Sequence, residues 1–461
     1  MTSEPGASAV RSGARLVAVP GGRDPVVVSG LRRALELRLR GTLDDGEVPV
    51  AAGSHGGRVD GAGGPDGIDG IDGIDGIDGP SVLVPHDPDE NDPLAAVAAR
   101  LRTEVPADTA VILRTSGSTT GTGHLVALGA AALVASARAT HARLGGPGRW
   151  VLAVPAHHVA GLQVLVRSVV AGTTPVLLDT SAGFDPAALA EAVTAMPDDA
   201  PGYLSLVPTQ LVRVLDAGPG AVVPLRRVAA ILVGGAATPP ATLAQARAAG
   251  LRVVTTYGMT ETGGGCVYDG VPLPGVRLRT TTDGRVEIAG AMLASGYLDE
   301  PDGGPFAVEA GERWLRTSDR GRLDHGPQGV RLTVLGRVDD LINTGGVKVA
   351  PTAVERVAGP GVVVVGVPDD EWGELVTAVT TAGGTLAELR AAVSAELGAA
   401  HAPRALVRVD ALPLRGPGKV DRLAVARLAR EALADPGGPG VERHGIDRQA
   451  HETGSAGRPI S

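Results

Sequence analysis

Eight consecutive residues, Thr115-Ser116-Gly117-Ser118-Thr119-Thr120-Gly121-Thr122, mix hydroxyls with glycines and carry no large side chain. One arginine separates them from the apolar run Val111-Ile112-Leu113. Glycines let backbone N–H groups come close to a phosphate, and Ser/Thr hydroxyls add donors for its oxygens. The stretch therefore fits a phosphate-binding loop at the end of a buried strand. It is not a Walker A loop, because no G-x-x-x-x-G-K-[ST] can be fitted. An ordinary Ser/Gly-rich loop is the alternative, and a position directly after a buried strand weighs against it.

Such a loop needs elements behind it, and the flanking sequence supplies them. From residue 81 to about 335, short Val/Leu/Ile runs alternate with Ala/Leu/Arg segments at helical spacing. Strands are predicted at 110–113, 150–154, 174–178, 203–207, 229–233 and 252–256. Helices are predicted at 93–102, 130–144, 161–171, 186–195, 209–216 and 239–249, and upstream around 31–39. Buried apolar strands joined by crossover helices argue for a largely parallel sheet. After Tyr257 the pattern turns β-rich (286–288, 314–316, 331–334), and from Leu341 a second unit begins with a strand at 361–367 and a helix at 386–397.

The expected fold class is α/β, with a large N-terminal domain at 16–335 of mostly parallel sheets flanked by helices plus a β-rich subdomain. A hinge at 336–340 leads to a small mobile C-terminal α+β domain at 341–434. Residues 1–15 read as a flexible tail and 435–461 as a disordered one. A low-complexity insert at 51–80 holds four copies of Ile-Asp-Gly from Ile68 to Gly79. Without proline at the middle positions these are not collagen-like, and they miss the calcium nonapeptide pattern, so a mobile acidic linker is expected.

The chain has 461 residues, room for two to three domains at ~150 residues each. Hydrophobic residues make up 43% but include only 2 Phe, 4 Tyr, 3 Trp and 4 Met, so the cores must be built from Val, Leu, Ala and Ile. Lys+Arg 42 against Asp+Glu 51 gives a formal net charge of −9, and there is no basic stripe of the kind nucleic-acid binders carry. The single cysteine, Cys266, excludes a disulfide framework, a CxxC redox pair and a cysteine-rich zinc site. It reads as a small buried hydrophobe. The first 25 residues hold no apolar h-region, which argues against a secretory signal. The uncharged stretch 125–137 stops at Arg138, short of the ~20 residues a bilayer span needs. A cytoplasmic protein with neither nucleic-acid partners nor membrane insertion is expected, and a homo-oligomer is left open.

The hydroxyl/glycine stretch resembles the phosphate loop of the adenylate-forming superfamily of acyl-CoA synthetases, peptide-synthetase adenylation domains and luciferases. Further signatures follow in chain order. Pro155-Ala156-His157-His158-Val159-Ala160-Gly161 resembles the P-x-x-H-x-x-G element, and Gly234-Gly235-Ala236-Ala237 the acyl-pocket loop. Tyr257-Gly258-Met259-Thr260-Glu261-Thr262 resembles YGxTE, and Arg316-Thr317-Ser318-Asp319-Arg320-Gly321 the TGD element. Gly336-Arg337-Val338-Asp339-Asp340 resembles the hinge, followed by Gly345-Gly346. Pro413 with Gly418-Lys419-Val420-Asp421-Arg422 resembles the terminal lysine motif. These matches run over residues 115–422, about two thirds of the chain.

The resemblance implies activation of a carboxylate by ATP as an acyl-adenylate, with pyrophosphate released, and then displacement of AMP by coenzyme A. A free carboxylate resists thiol attack because it is anionic and oxide is a hopeless leaving group. Negative charge builds on the α-phosphate, so cations and donors aimed there dominate catalysis. By resemblance, Lys419 donates to the carboxylate and α-phosphate oxygens, Thr260 sits near that phosphate, and Glu261 holds Mg²⁺, a hard ion suited to carboxylate and phosphate oxygens. Residues Thr115 to Gly121 cradle phosphates, Tyr257 lies against the adenine, Asp319 and Arg337 reach the ribose, and Gly235 lines the nucleotide side. Gly234 and His158 belong to the acid side, Asp339 is the hinge, and Gly345-Gly346 serves the coenzyme A step. One departure stands out: Gly123-His124 occupies the place where the family's loop continues Pro-Lys.

Within the superfamily, the 114 residues ahead of the loop are few. That compactness, with the run from Thr140 to Trp150 and the PAHHVAGLQVLVRS that follows soon after, resembles the actinobacterial o-succinylbenzoate–CoA ligases of menaquinone biosynthesis. Arg167 lies nine residues beyond His158 in an otherwise apolar helix. A lone arginine there wants an anionic partner. o-Succinylbenzoate carries two carboxylates: the succinyl one is activated and the aromatic one needs a cation. A structural carboxylate is the other candidate partner. Another aryl- or acyl-CoA ligase, a carrier-loading adenylation enzyme and a non-catalytic adenylate binder remain as alternatives. The chain has no LGGxS carrier segment, which weighs against the second, and Lys419, Glu261 and Asp319 weigh against the third.

Overall fold

The apolar runs that stand alone in the sequence become strands buried along their whole length. Ser81–His86, Leu125–Gly129 and Gly202–Leu206 show no exposed residue. In the computed structural model residues 15–44, 81–115, 123–327, 329–338, 340–415, 419–434 and 440–444 are described. The phosphate-loop residues Ser116, Gly117, Ser118, Thr119, Thr120 and Gly121, the hinge residue Asp339 and the insert at 51–80 lie outside them. The chain divides into two compact units. The first is Met1–Asp339 with Leu414–Lys419, and the second is Asp340–Pro413 with Val420–Ser461.

Among the described residues the large unit holds three sheets of five or more strands. In the first, Arg15–Pro20, Ser81–His86 and Thr109–Arg114 run parallel, and Leu125–Gly129 and Gly296–Tyr297 add antiparallel neighbours. In the second, Val253–Met259, Ala230–Val233, Gly202–Leu206, Arg149–Leu152 and Val176–Leu177 are parallel, with Gly264–Tyr268 and Val271–Pro272 antiparallel at one edge. The third is antiparallel and contains Glu312–Gly326 and Gly329–Arg337.

Strand alternation decides which side chains meet. Leu83, Val111 and Leu113 face one core together with the helices Pro25–Asp44, Ala130–Leu144 and Val159–Ala171 and with Trp150, Tyr203 and Leu232 of the second sheet. Val82, Val84 and Ile112 face the opposite side of the first sheet. Three helices are thus layered between two sheets. The outer face of the second sheet is covered by Pro186–Ala195, Pro208–Asp216, Pro219–Leu225 and Pro240–Ala248.

The small unit has a mixed sheet of Val347–Val349, Ile342–Thr344, Gly373–Thr380, Ala405–Arg408 and Val441–Arg443, with Val362–Asp369 also on Gly373–Thr380. Pro351–Ala358 and Leu386–Leu397 pack on one face and Arg422–Ala434 on the other.

Three expectations need correction. The helix around 31–39 runs from Pro25 to Asp44. Asp24 accepts from the Val26 amide at 2.7 Å and Pro25 opens the helix, an N-terminal signal that the Val26-Val27-Val28 run obscured. The helix at 93–102 stops at Ala98. The tail from 435 is not disordered throughout: Val441–Arg443 pairs antiparallel with Ala405–Arg408. Glu442 ties it down by accepting from the Leu386 amide at 2.7 Å and pairing with Arg408 at 2.7 Å.

Among the described residues no helix is long and apolar enough to cross a membrane. Cys266 is buried, and burial pushes its thiol up to about 12, so it is inert at neutral pH.

Candidate active site

The base of the predicted phosphate loop is closed by its own ends. The Thr115 amide donates to the His124 carbonyl at 2.9 Å, and the His124 amide donates to Thr115 Oγ1 at 2.7 Å. Gly123 has φ +64°, and a Cβ there would lie 2.0 Å from the Thr115 carbonyl oxygen, so only glycine fits. The His124 ring stacks on Tyr297 at 4.3 Å, with Nδ1 3.2 Å from Glu300 and 3.6 Å from Asp299. An acidic pair thus faces the position where the family carries a lysine.

Tyr297 links the loop to the YGMTET segment. Its hydroxyl donates to Glu261, which sits on the short turn Thr260–Thr262 beside Thr260. Burial, then the neighbouring Glu261, pushes the Tyr297 hydroxyl up, so it remains a donor. Glu261 is itself buried, and among the described residues no cation pairs with it. A buried carboxylate without a cation suits a metal ion. Among the described residues no group of three or more His, Cys, Asp or Glu could hold one alone. That arrangement suits Mg²⁺, which takes few protein carboxylates and completes its shell with phosphate oxygens and water.

A second cluster forms where the Val253–Met259 strand meets the third sheet. Tyr257 donates to Asp319 Oδ2 at 2.8 Å. Burial first and Asp319 second push the Tyr257 hydroxyl up. Asp319 and Arg337 are register partners across Glu312–Gly326 and Gly329–Arg337, so the proposed adenine and ribose residues converge. Gly234 and Gly235 follow the Ala230–Val233 strand. A Cβ at Gly234 would approach Thr256 Oγ1 to 2.1 Å, and Gly235 has φ +83°.

His158 is the N-cap of Val159–Ala171, with its ring 4.4 Å from His157. The motif glycine behind it has a steric reason: a Cβ at Gly161 would stand 2.2 Å from the Pro155 carbonyl oxygen. Gly161→Ala is expected to cost ~1–3 kcal/mol through this clash with fixed backbone. It should lower the Tm by several degrees and move His158; a melt unchanged from the parent would refute it.

Arg167, on the same helix, is 3% exposed. Its guanidinium lies over Trp150 at 4.9 Å and reaches the Tyr268 hydroxyl at 3.4 Å. Among the described residues no carboxylate pairs with it, so the structural-partner alternative finds no support there. His141 nearby is lowered to about 4 by burial and then by the Arg167 charge, so it is neutral at pH 7.

Gly345 and Gly346 belong to the small unit. Gly345 and Gly346 form the turn between Ile342–Thr344 and Val347–Val349 with φ +55° and +79°, a hairpin turn that favours glycine at both positions. Lys419 begins the short strand Lys419–Val420, paired with Leu414–Arg415. Sequence reasoning missed Tyr297, Asp299, Glu300, Gln163, His141 and Tyr268. The available signal was the rarity of tyrosine: three of the four in the chain place their hydroxyls at these sites.

Comparison with known proteins places the chain in a family. The AMP-binding enzyme model matches residues 73–317 and the AMP-binding enzyme C-terminal domain matches 352–419. A probable 2-succinylbenzoate–CoA ligase of Mycobacterium tuberculosis is 49% identical over 346 residues, covering 73% of this chain and 88% of the relative. Among solved structures, ATP-bound MatB from Rhodopseudomonas palustris superposes with TM-score 0.62 at 26% identity, covering 76% of this chain and 79% of MatB. The o-succinylbenzoate CoA synthetase of Bacillus subtilis, in complex with its acyl-adenylate, gives TM-score 0.63 at 22% identity over 90% of this chain and 88% of that one; this likeness speaks to the fold alone.

Proposed function

This chain belongs to the family of AMP-binding enzymes, and on that premise we propose that it activates o-succinylbenzoate with ATP and transfers the acyl group to coenzyme A in the cytoplasm. The observation that carries the choice of acid is Arg167, a buried cation without a carboxylate partner among the described residues, on the helix that starts at His158. A second carboxylate on the substrate is the partner it fits. The 49% identity to a probable 2-succinylbenzoate–CoA ligase supports the same acid.

Each residue then has a task. Tyr257, Asp319 and Arg337 hold the nucleoside of ATP, while Thr115 through Gly121 donate to its phosphates. Tyr297 orients Glu261, which with phosphate oxygens would hold Mg²⁺; that ion supplies charge neutralisation at the phosphates. Thr260 and Lys419 would supply a donor and a positive charge to the α-phosphate as the succinyl carboxylate attacks it and pyrophosphate leaves. Gly234, His158 and Arg167 shape and charge the acid side, and the Gly345-Gly346 turn serves the thiol step.

ATP should give AMP and pyrophosphate only with an acid present, and a thioester only once coenzyme A is added. Paired assays with o-succinylbenzoate, benzoate and a fatty acid test this. A thioester from another acid but none from o-succinylbenzoate would overturn the substrate. Pyrophosphate release with none of them would overturn the activity.

A further inference from the structure

The helix layer between the two sheets carries a seam of buried polar side chains. The Ala130–Leu144 helix contributes Ser136 and Thr140, four residues apart, and the Val159–Ala171 helix contributes Gln163 and Arg167 at the same spacing, so each pair shares one helix face. Both pairs meet the segment that leaves the Thr260–Thr262 turn. Ser136 donates to the Gly263 carbonyl at 3.0 Å, and Thr140 bonds the Tyr268 hydroxyl at 3.0 Å. Gly264 makes room for Gln163, since a Cβ there would lie 3.1 Å from Gln163 Cγ, and Gln163 Nε2 lies 3.7 Å from where a Cβ of Gly263 would stand. The amide end of Gln163 therefore sits beside the turn that carries Glu261.

Gln163 is fully buried, yet among the described residues neither its amide nitrogen nor its amide oxygen has a hydrogen-bond partner. The same holds for Arg167 Nε and His141 Nε2. Folded chains keep few such groups, because a buried amide without a partner is destabilising and a leucine would fill the space without that cost. Ser136 and Thr140 of the seam have protein partners; Gln163, one turn from a buried cation that has no carboxylate, does not.

We propose that Gln163 is a second, specificity-determining donor to the ring carboxylate of the acid, completing with Arg167 the site for that group. Its N–H donates to one carboxylate oxygen while the guanidinium takes the other. The inference rests on the reading of Arg167 as the partner of the ring carboxylate.

Gln163→Leu and Gln163→Glu separate this role from a structural one. Gln163→Leu should raise the KM for o-succinylbenzoate ~10-fold, the loss of one hydrogen bond to a charged group, with the KM for ATP unchanged. It should leave untouched the KM for the analogue that lacks the ring carboxylate. The Tm without substrate should stay equal or rise, and the further rise on adding o-succinylbenzoate should shrink. Gln163→Glu hands Arg167 a carboxylate within the protein, so the Tm should rise while o-succinylbenzoate is lost more completely. The inference is overturned if Gln163→Leu lowers the Tm and impairs both acids alike, or if it changes neither KM. Those failures differ from failure of the proposed substrate, which appears in the parent enzyme as indifference to the ring carboxylate.

Discussion

Lys419→Ala should slow formation of the acyl-adenylate by ~10²–10³-fold, the usual cost of removing one preorganised group aimed at developing charge. Thioester formation from preformed acyl-adenylate should suffer far less. In the first half-reaction the α-phosphate gains an oxygen nucleophile while pyrophosphate departs, so negative charge grows there on the way to the transition state. A cation placed at that phosphate stabilises the transition state more than the ground state. In the second half-reaction the thiol attacks the acyl carbon, and the phosphate charge is already present beforehand. The two steps can be read apart in single turnovers, one started with ATP and acid, the other with synthetic acyl-adenylate and coenzyme A. Equal losses in both, at an unchanged Tm, would remove Lys419 from the adenylation chemistry.

The parallel strands of the second sheet were legible in the sequence because strands buried on both faces are apolar at nearly every position, whereas Arg15–Pro20, Ser81–His86 and Leu125–Gly129 of the first sheet were not read as strands. Helices were less well bounded. In Pro25–Asp44 three valines follow the opening proline, residues that favour strands in isolation, and what overrides them is the Asp24 cap and the burial of Val28 against the layer between the sheets. The site separated along the same line. Motif residues in one stretch, such as Thr260 and Glu261, could be read directly. Partners that meet across the fold could not: Tyr297 is 36 positions from Glu261, and Tyr268 is 128 from Thr140 and 101 from Arg167. No local spacing encodes those meetings. They follow from which strand edge lies over which helix. Gln163 was invisible for a further reason, since an amide in an apolar helix reads as one polar substitution until its lack of partners is seen in the packed layer.

Arg167→Ala should raise the KM for o-succinylbenzoate roughly 10- to 150-fold, the range for a lost charge-assisted hydrogen bond of ~1.5–3 kcal/mol. The guanidinium is buried, stacked over Trp150 and unpaired with any carboxylate among the described residues, so little water competes for the ligand's charge. The acid without its ring carboxylate should already be a poor substrate for the parent and should lose little more with the variant. That non-additivity isolates the arginine–carboxylate pair from general damage to the helix. Stability gives an independent sign. Removing an uncompensated buried cation relieves a desolvation cost but also gives up the Trp150 contact and leaves a void, so the Tm should move much less than the KM. Arg167→Lys should rescue only in part, because an ammonium cannot present the paired N–H fork to a carboxylate. Both acids losing equally, together with a large fall in Tm, would make Arg167 a structural residue and leave the choice of acid to the likeness with the mycobacterial enzyme alone.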